Sequence, residues 1–289
     1  MSSDMTCGAC KLTGEEGAFV KAHIIPDALT RPEKGAPFAQ AGLEAAPIAR
    51  WTSWYDKGIV TAAGEKILAG YDDWAIQTLR DHRLVWSGWG DEMRLIAPDW
   101  TELEVGSGFG VRKIEGIDGA RLRLFFLSLL WRAAVSRLPE FEAVNVRSRD
   151  IRRLGRMLRD EDPGRTDFFP VMLTQHATRG PLHNETPLAV RRPLHPDRAN
   201  APAVPLFRFY FDGLVACIHR RTSTSDIASL GPLIVGASET LAVTTVPFEG
   251  SRQEDSLVAV MSAAKGKWPE RLDRIAGKAR VAAPKAAPD

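Results

Sequence analysis

Apolar residues fall into two periods along this chain. Between 62 and 84, Ile67, Leu68, Tyr71, Trp74, Ala75, Thr78 and Leu79 recur at steps of three and four, which builds one apolar face on a helix. Glu65, Asp72 and Asp73 fall beside or off that face. Residues 118–138 (DGARLRLFFLSLLWRAAVSRL) are apolar nearly all round and stop at Pro139, the pattern of a buried central helix. Residues 148–161 (SRDIRRLGRMLRDE) predict an amphipathic helix, with Ser148 as N-cap and Asp150 in its first turn. SLVAVMSAAKGKW predicts a further short helix.

The other period is two. LVWSGW, EMRLIA and FGVRKIEGI, within 84–117, predict short strands. Residues 204–222 alternate on either side of Asp212-Gly213, a dipeptide suited to closing a hairpin. LGPLIVGA and TLAVTTVPF continue as strands. Residues 33–50 are small and Pro-punctuated and predict a surface loop; 163–203, rich in Pro, Arg and His, predict mostly irregular chain. The tail from Lys278 is low in complexity, and disorder is expected there. This order predicts an α+β fold: an N-terminal module (1–84), strands plus central helices (85–162), a strand-rich C-terminal region (163–277) and a disordered tail (278–289).

Composition narrows the class without naming it. Of 289 residues, 44% are apolar and 26% charged, as in an ordinary globular protein. The net charge of +2 leaves nucleic-acid binding open, because the charge that matters is local. The longest apolar run, Leu124 to Leu130, is flanked by Arg123 and Arg132 and falls far short of the ~20 residues of a membrane span. No secretory h-region is visible in MSSDMTCGAC. Cys7, Cys10 and Cys217 are an odd set, two of them in knuckle spacing, which argues against a disulfide framework and for a reducing cytoplasm. A soluble cytoplasmic protein with no membrane partner is the expectation.

Several residues could carry chemistry. Cys7-Gly8-Ala9-Cys10 is a tight turn that presents two thiolates to one metal, usually zinc, though it is half of a tetrahedral site. His23-Ile24-Ile25-Pro26 follows a dozen residues on, and the knuckle upstream raises His23 above an ordinary packed histidine. Arg149, Arg152, Arg153, Arg156 and Arg159 recur along one helix; Arg152, Arg156 and Arg159 are candidates for nucleic-acid phosphates, against a plain ion-pair face with Asp150, Asp160, Glu161 and Asp162. Arg132, inside an apolar helix, predicts a dedicated acidic partner. Gly106-Ser107-Gly108-Phe109-Gly110 reads as a turn. His176, His183, Asn184 and His195 match no metal or triad spacing, and Cys217 and His219 read as packing residues on one strand face.

C-x-x-C followed by K-A-H-I-I-P resembles a group of bacterial HNH-endonuclease-like proteins that carry C-x-x-C and then S-H-I-I-P. WYDKGIVTAAGEKILAGYDDWA is similar to the stretch where that group carries a second C-x-x-C-E opening a helix. RLRLFFLSLLWRAAVS is similar to its F-x-x-S-x-x-W-R-A helix, and SRDIRRLGRMLRDEDP to the arginine-bearing helix after it. The resemblance covers roughly residues 7–162. It implies a treble-clef module and metal-dependent hydrolysis of nucleic-acid phosphodiesters. His23 would be the general base, Glu65 and Asp72 the ligands of magnesium or manganese, and Cys7 and Cys10 half of a structural zinc site. The chain departs from the pattern at Ala22, where the group has serine, and at Thr61 and Gly64, where it has the second cysteine pair. Those losses imply the alternative, a catalytically inactive HNH-derived scaffold or protein-binding component of a phage-defence or prophage system.

Overall fold

The computed structural model describes residues 7–30, 38–40, 46–194, 202–220 and 222–282. A hairpin of β1 (Cys7–Ala9) and β2 (Glu16–Ala18) opens the chain. Then come β3 (Ala22–His23), a turn of helix α1 (Asp27–Thr30), β4 (Phe38–Gln40), β5 (Ile48–Arg50), β6 (Tyr55–Asp56) and the long helix α2 (Ala62–Asp81). In this region β3 pairs with β6, and β4 with β5. Strands β7 (Trp100–Glu102) and β8 (Gly110–Ile114) lead into helices α3 (Gly119–Val135) and α4 (Ser148–Arg159). The rest is β9 (Val171–His176), β10 (Leu188–Pro193), β11 (Ala203–Phe211), β12 (Leu214–His219), α5 (Thr224–Leu230), β13 (Leu241–Val246), α6 (Arg252–Lys267) and α7 (Pro269–Ala282). The fold is α+β. Seven strands form one sheet in the order β10-β11-β12-β9-β13-β8-β7, antiparallel except where β9 runs parallel to β13. No described helix is long and apolar enough to cross a membrane.

Helix α3 is the axis of the core. Asp118 caps it by accepting from the Arg121 N–H at 2.9 Å, and every residue from Leu122 to Ala133 is buried. Phe126 stacks on Phe211 of β11 at 6.4 Å between ring centres, which seats one face of the large sheet on the helix. Alternate positions of the sheet (Leu173, Phe207, Phe209, Ala216 and Val243) fill that face. Helices α2 and α4 lie against the other side, where the Tyr71 hydroxyl donates to the Leu158 carbonyl at 2.8 Å. One apolar cluster runs from Cys10 to Val243 and so crosses the expected divisions at 84/85 and 162/163.

Where local sequence and structure differ, tertiary contacts decide. LVWSGW forms a 3-10 turn, Trp86–Gly88, because its backbone docks on the β11–β12 turn: Trp86 N–H donates to the Asp212 carbonyl at 2.9 Å. EMRLIA makes one isolated bridge, Arg94 to Thr178, instead of a strand. LGPLIVGA is the end of α5 and a 3-10 turn, with Pro232 at its start. Residues 163–203, expected irregular, contain β9 and β10, which pair within the sheet. Part of 33–50 pairs as β4 and β5, while 31–37 and 41–45 lie outside the described residues. Ser148 is the first helical residue of α4; Arg147 occupies the N-cap and makes no side-chain cap bond. The expected disorder from Lys278 is corrected by α7, which continues to Ala282; residues 283–289 lie outside the described residues.

The Asp212-Gly213 turn is the tightest joint in the sheet. Both residues have positive φ, 48° and 79°, as a two-residue hairpin requires. A Cβ on Gly213 would stand 2.4 Å from the Trp86 ring. Gly213→Ala is therefore expected to lower the unfolding free energy by about 3 kcal/mol, from left-handed backbone strain plus overpacking. Urea denaturation reads this as a lower midpoint. A loss below about 0.5 kcal/mol, the range of an ordinary surface substitution, would show that the joint yields.

Candidate functional site

The N-terminal knuckle is a tight turn held by its own backbone. Cys10 N–H donates to the Glu15 carbonyl at 2.9 Å, and Gly14 N–H to the Cys10 carbonyl at 2.8 Å. Cys10 is 2% exposed, while Cys7 lies on the surface. The start of α2 abuts this turn. Phe19 bridges to Thr61, and a Cβ on Gly64 would stand 2.6 Å from Cys10 Sγ. Thr61 and Gly64, the positions of the expected second cysteine pair, thus do meet the knuckle. They meet it by direct packing that leaves no room for a ligand side chain at position 64. Burial pushes the Cys10 thiol up, but hydrogen bonds from Thr13, Thr61 and Leu12 outweigh it and bring the pKa below 9.0. A tetrahedral zinc does not fit this donor set.

His23, Glu65 and Asp72 gather around a fourth residue, Arg132 of α3. Its guanidinium takes both Asp72 oxygens, at 2.8 Å (Nη1) and 2.5 Å (Nη2). Nη1 also donates to the His23 carbonyl at 3.0 Å, and Nη2 to Ser128 Oγ at 2.8 Å. This is the acidic partner that the sequence requires of Arg132. Side-chain exposures of 2% for Arg132 and 15% for Asp72 make it a buried pair. Glu65 lies within its field; its Oε2 is buried and accepts no hydrogen bond. Burial raises the Glu65 pKa above 4.5, with Arg132 opposing.

The His23 ring is oriented by a relay absent from the sequence expectations. Thr52 Oγ1 donates to Asp27 Oδ1 at 3.1 Å, so it accepts from His23 Nε2–H at 3.1 Å. That leaves Nδ1 as the basic nitrogen. Burial, then the neighbouring Lys21, lower the His23 pKa, with Asp27 partly offsetting them. The ring is therefore neutral at pH 7. A divalent ion fits the trio poorly, because both Asp72 oxygens are committed to a cation already in place. No group of three or more metal-ligating side chains occurs among the described residues.

The three arginines singled out on α4 do not share one site. Arg159 donates to the Leu12 carbonyl at 2.5 Å and borders a cleft beside α2. Arg152 is exposed. Arg156 joins Arg147, Arg149, Arg153, Arg165 and Arg220 around a second cleft of about 450 Å³, with only Asp150 and Asp167 as carboxylates. Phe168 forms part of its wall, with the Arg153 guanidinium 3.9 Å above its ring. Arg165 and Arg220 come from other segments, so no local spacing could have announced them. Among other residues noted in the sequence, Asn184 donates to the Thr30 carbonyl at 2.6 Å, and His195 lies outside the described residues. The GSGFG turn is held by Glu102, which accepts from Gly106 N–H at 3.1 Å and Gly108 N–H at 2.9 Å.

Compared with known proteins, the chain matches no family model, no curated sequence and no solved structure.

Two outcomes follow from the Arg132 cluster. Asp72→Leu is expected to cost about 3–5 kcal/mol by leaving a buried guanidinium unpaired, and Arg132→Met/Asp72→Leu is expected to cost less than that single change. A double-mutant cycle by urea denaturation checks this; a single-mutant loss under about 1 kcal/mol would make the pair an ordinary surface bridge. Glu65 has the reverse sign from a paired carboxylate. Its folded pKa is raised, so the unfolded chain ionises first, and stability falls as pH rises from 4.5 through the folded value. Glu65→Gln is expected to be more stable than wild type at pH 7, with no such advantage below pH 4.5. Equal stability curves across that window would contradict the assignment.

Proposed function

We propose that this chain is an HNH-derived nucleic-acid-binding protein in which the treble-clef module serves as scaffold. The observation that carries the reading is the α4 cleft, where six guanidinium groups face two carboxylates. Arg147, Arg149 and Arg165 are 64%, 63% and 69% exposed and ion-paired, the first two with Asp150 at 2.9 and 3.5 Å and the third with Asp167 at 2.9 Å, so an incoming phosphate would compete with two carboxylates for six guanidinium groups. Cations placed so displace condensed counterions from a phosphate backbone. The order of knuckle, His23 strand and α2 supports the ancestry. The Cys10–Gly64 packing and the Arg132–Asp72 pair support loss of both metals, and no hydrolytic step is assigned. The reading places the protein in the cytoplasm, where its thiols stay reduced.

One observation favours a second reading, phosphodiester hydrolysis: His23 is held neutral with Nε2–H on Thr52, which leaves Nδ1 as its basic nitrogen.

Fluorescence anisotropy with single- and double-stranded probes tests the first reading. Arg153→Ala/Arg156→Ala is expected to weaken binding at least tenfold and to reduce the salt slope by roughly 2. Unchanged affinity and slope would remove the cleft from the account. A plasmid and RNA cleavage course with Mg²⁺ or Mn²⁺ separates the readings. No cleavage is expected from the wild type; cleavage that His23→Ala abolishes would establish hydrolysis.

A further inference from the structure

The large sheet ends at β7, and no strand among the described residues pairs with the outer side of β7. Leu103 N–H donates to the Phe109 carbonyl at 2.8 Å, and Lys113 N–H to the Asp99 carbonyl at 3.0 Å. Bonded and unbonded pairs alternate along an antiparallel ladder, so Thr101 also bonds toward β8, whereas Trp100 and Glu102 turn their main chain away from it. Trp100 N–H is taken by the Ala97 carbonyl at 3.2 Å. The Trp100 carbonyl and both main-chain groups of Glu102 are left directed outward, with no hydrogen-bond partner among the described residues. An edge of this kind is a template for one more strand.

Apolar side chains collect beside it. Ten large apolar side chains are exposed among the described residues, and five of them fall within 93–109: Met93, Ile96, Leu103, Val105 and Phe109. Leu103 is 82% exposed and Val105 97%. Exposed apolar residues scattered singly are ordinary, but a concentration at one sheet edge marks an interaction surface. Leu103 and Phe109 oppose each other in the ladder and so share the face that Thr101 occupies. Trp100 and Glu102 point to the other face. Arg94, between Met93 and Ile96, meets them there: it donates to Glu102 Oε1 at 2.6 Å and lies over the Trp100 ring, which brings 93–96 beside β7.

Charge selects the occupant. Arg94 is already paired with Glu102. Asp91, Glu92, Glu104 and Glu115 are exposed, and no ion pair engages them among the described residues; Lys113 is the exposed cation beside them. A second copy of this edge, a nucleic acid or an anionic membrane would bring like charges together. A basic partner is attracted.

We infer that β7 takes an extended segment of a partner protein as an eighth strand, with apolar residues over Leu103 and Phe109 and basic residues toward the carboxylates around Glu102. Because a strand has a period of two, the segment that fits alternates apolar and basic residues. The inference does not depend on the α4 cleft.

Titration of the ¹⁵N-labelled full chain with an end-capped alternating valine–lysine octapeptide tests it. The comparison probes are the same residues in two blocks, and the alternating peptide with every backbone nitrogen methylated. The alternating peptide is expected to bind, to move the Glu102 amide proton downfield and to protect it from exchange. The methylated twin carries the same charge but cannot donate to the edge, and it and the block peptide are expected to bind at least tenfold more weakly. Leu103→Ser/Val105→Ser, which changes exposed side chains only, is expected to weaken binding at least tenfold by removing the apolar contact. Arg153→Ala/Arg156→Ala is expected to leave it unchanged. Absence of binding at millimolar peptide, equal binding of the methylated twin, or a stationary Glu102 amide would overturn the proposal. So would a wild-type dimer in light scattering that Leu103→Ser/Val105→Ser dissociates, because the edge would then serve a second copy of the chain.

Discussion

The structure hangs on two guanidinium groups buried in one apolar helix. Arg123 and Arg132 of α3 are 0% and 1% exposed, yet their positive charge must be answered or the helix could not be central. Arg132 is answered by a carboxylate, Asp72, and by the backbone of the His23 strand. Arg123 is answered by the carbonyls of Pro163, Arg165, Phe168 and Phe169, with the Asp167 charge nearby. Burial accordingly pulls its pKa to about 10, still well above neutrality. One arginine therefore fastens the N-terminal module to α3, and the other fastens the loop that feeds the large sheet. A charge that has only one arrangement of partners specifies how the layers dock, a selectivity that apolar packing alone does not supply.

The same constraint shapes the candidate chemistry. Arg132 takes both carboxylate oxygens of Asp72 and the main-chain carbonyl of His23, so a cation that is covalently part of the scaffold already stands at Asp72. At the knuckle, glycine at position 64 lets α2 close directly on Cys10 Sγ. In both places packing within the chain takes the position that the resembled pattern gives to an ion. The exposed guanidinium groups lie elsewhere, on the outer side of α4, where six arginines meet two carboxylates.

Long periodic segments were legible in the sequence. The α2 and α3 patterns match their helices because each buries a face that its own periodicity defines, and Asp212-Gly213 is a turn for local steric reasons. Arg132 also declared its need for a partner. Segments whose form is set by distant contacts were not legible. Trp86 joins a 3-10 turn because Asp212 receives its N–H, and β9 forms inside a Pro- and His-rich stretch because β12 and β13 flank it. The candidate sites divide the same way. His23, Glu65 and Asp72 were nameable from the family resemblance of their motifs, whereas the Thr52–Asp27 relay, Arg165 and Arg220 depend on residues brought together from separate elements.

The central claim is that Arg132 and the Cys10–Gly64 contact leave the N-terminal module independent of metal. Elemental analysis of the protein purified without chelator, with thermal unfolding repeated in excess EDTA, tests that claim most directly. The account predicts well under one equivalent of zinc, magnesium or manganese per chain and the same melting temperature with and without EDTA. One equivalent of bound metal, removed by EDTA with a clear fall in melting temperature, would contradict it.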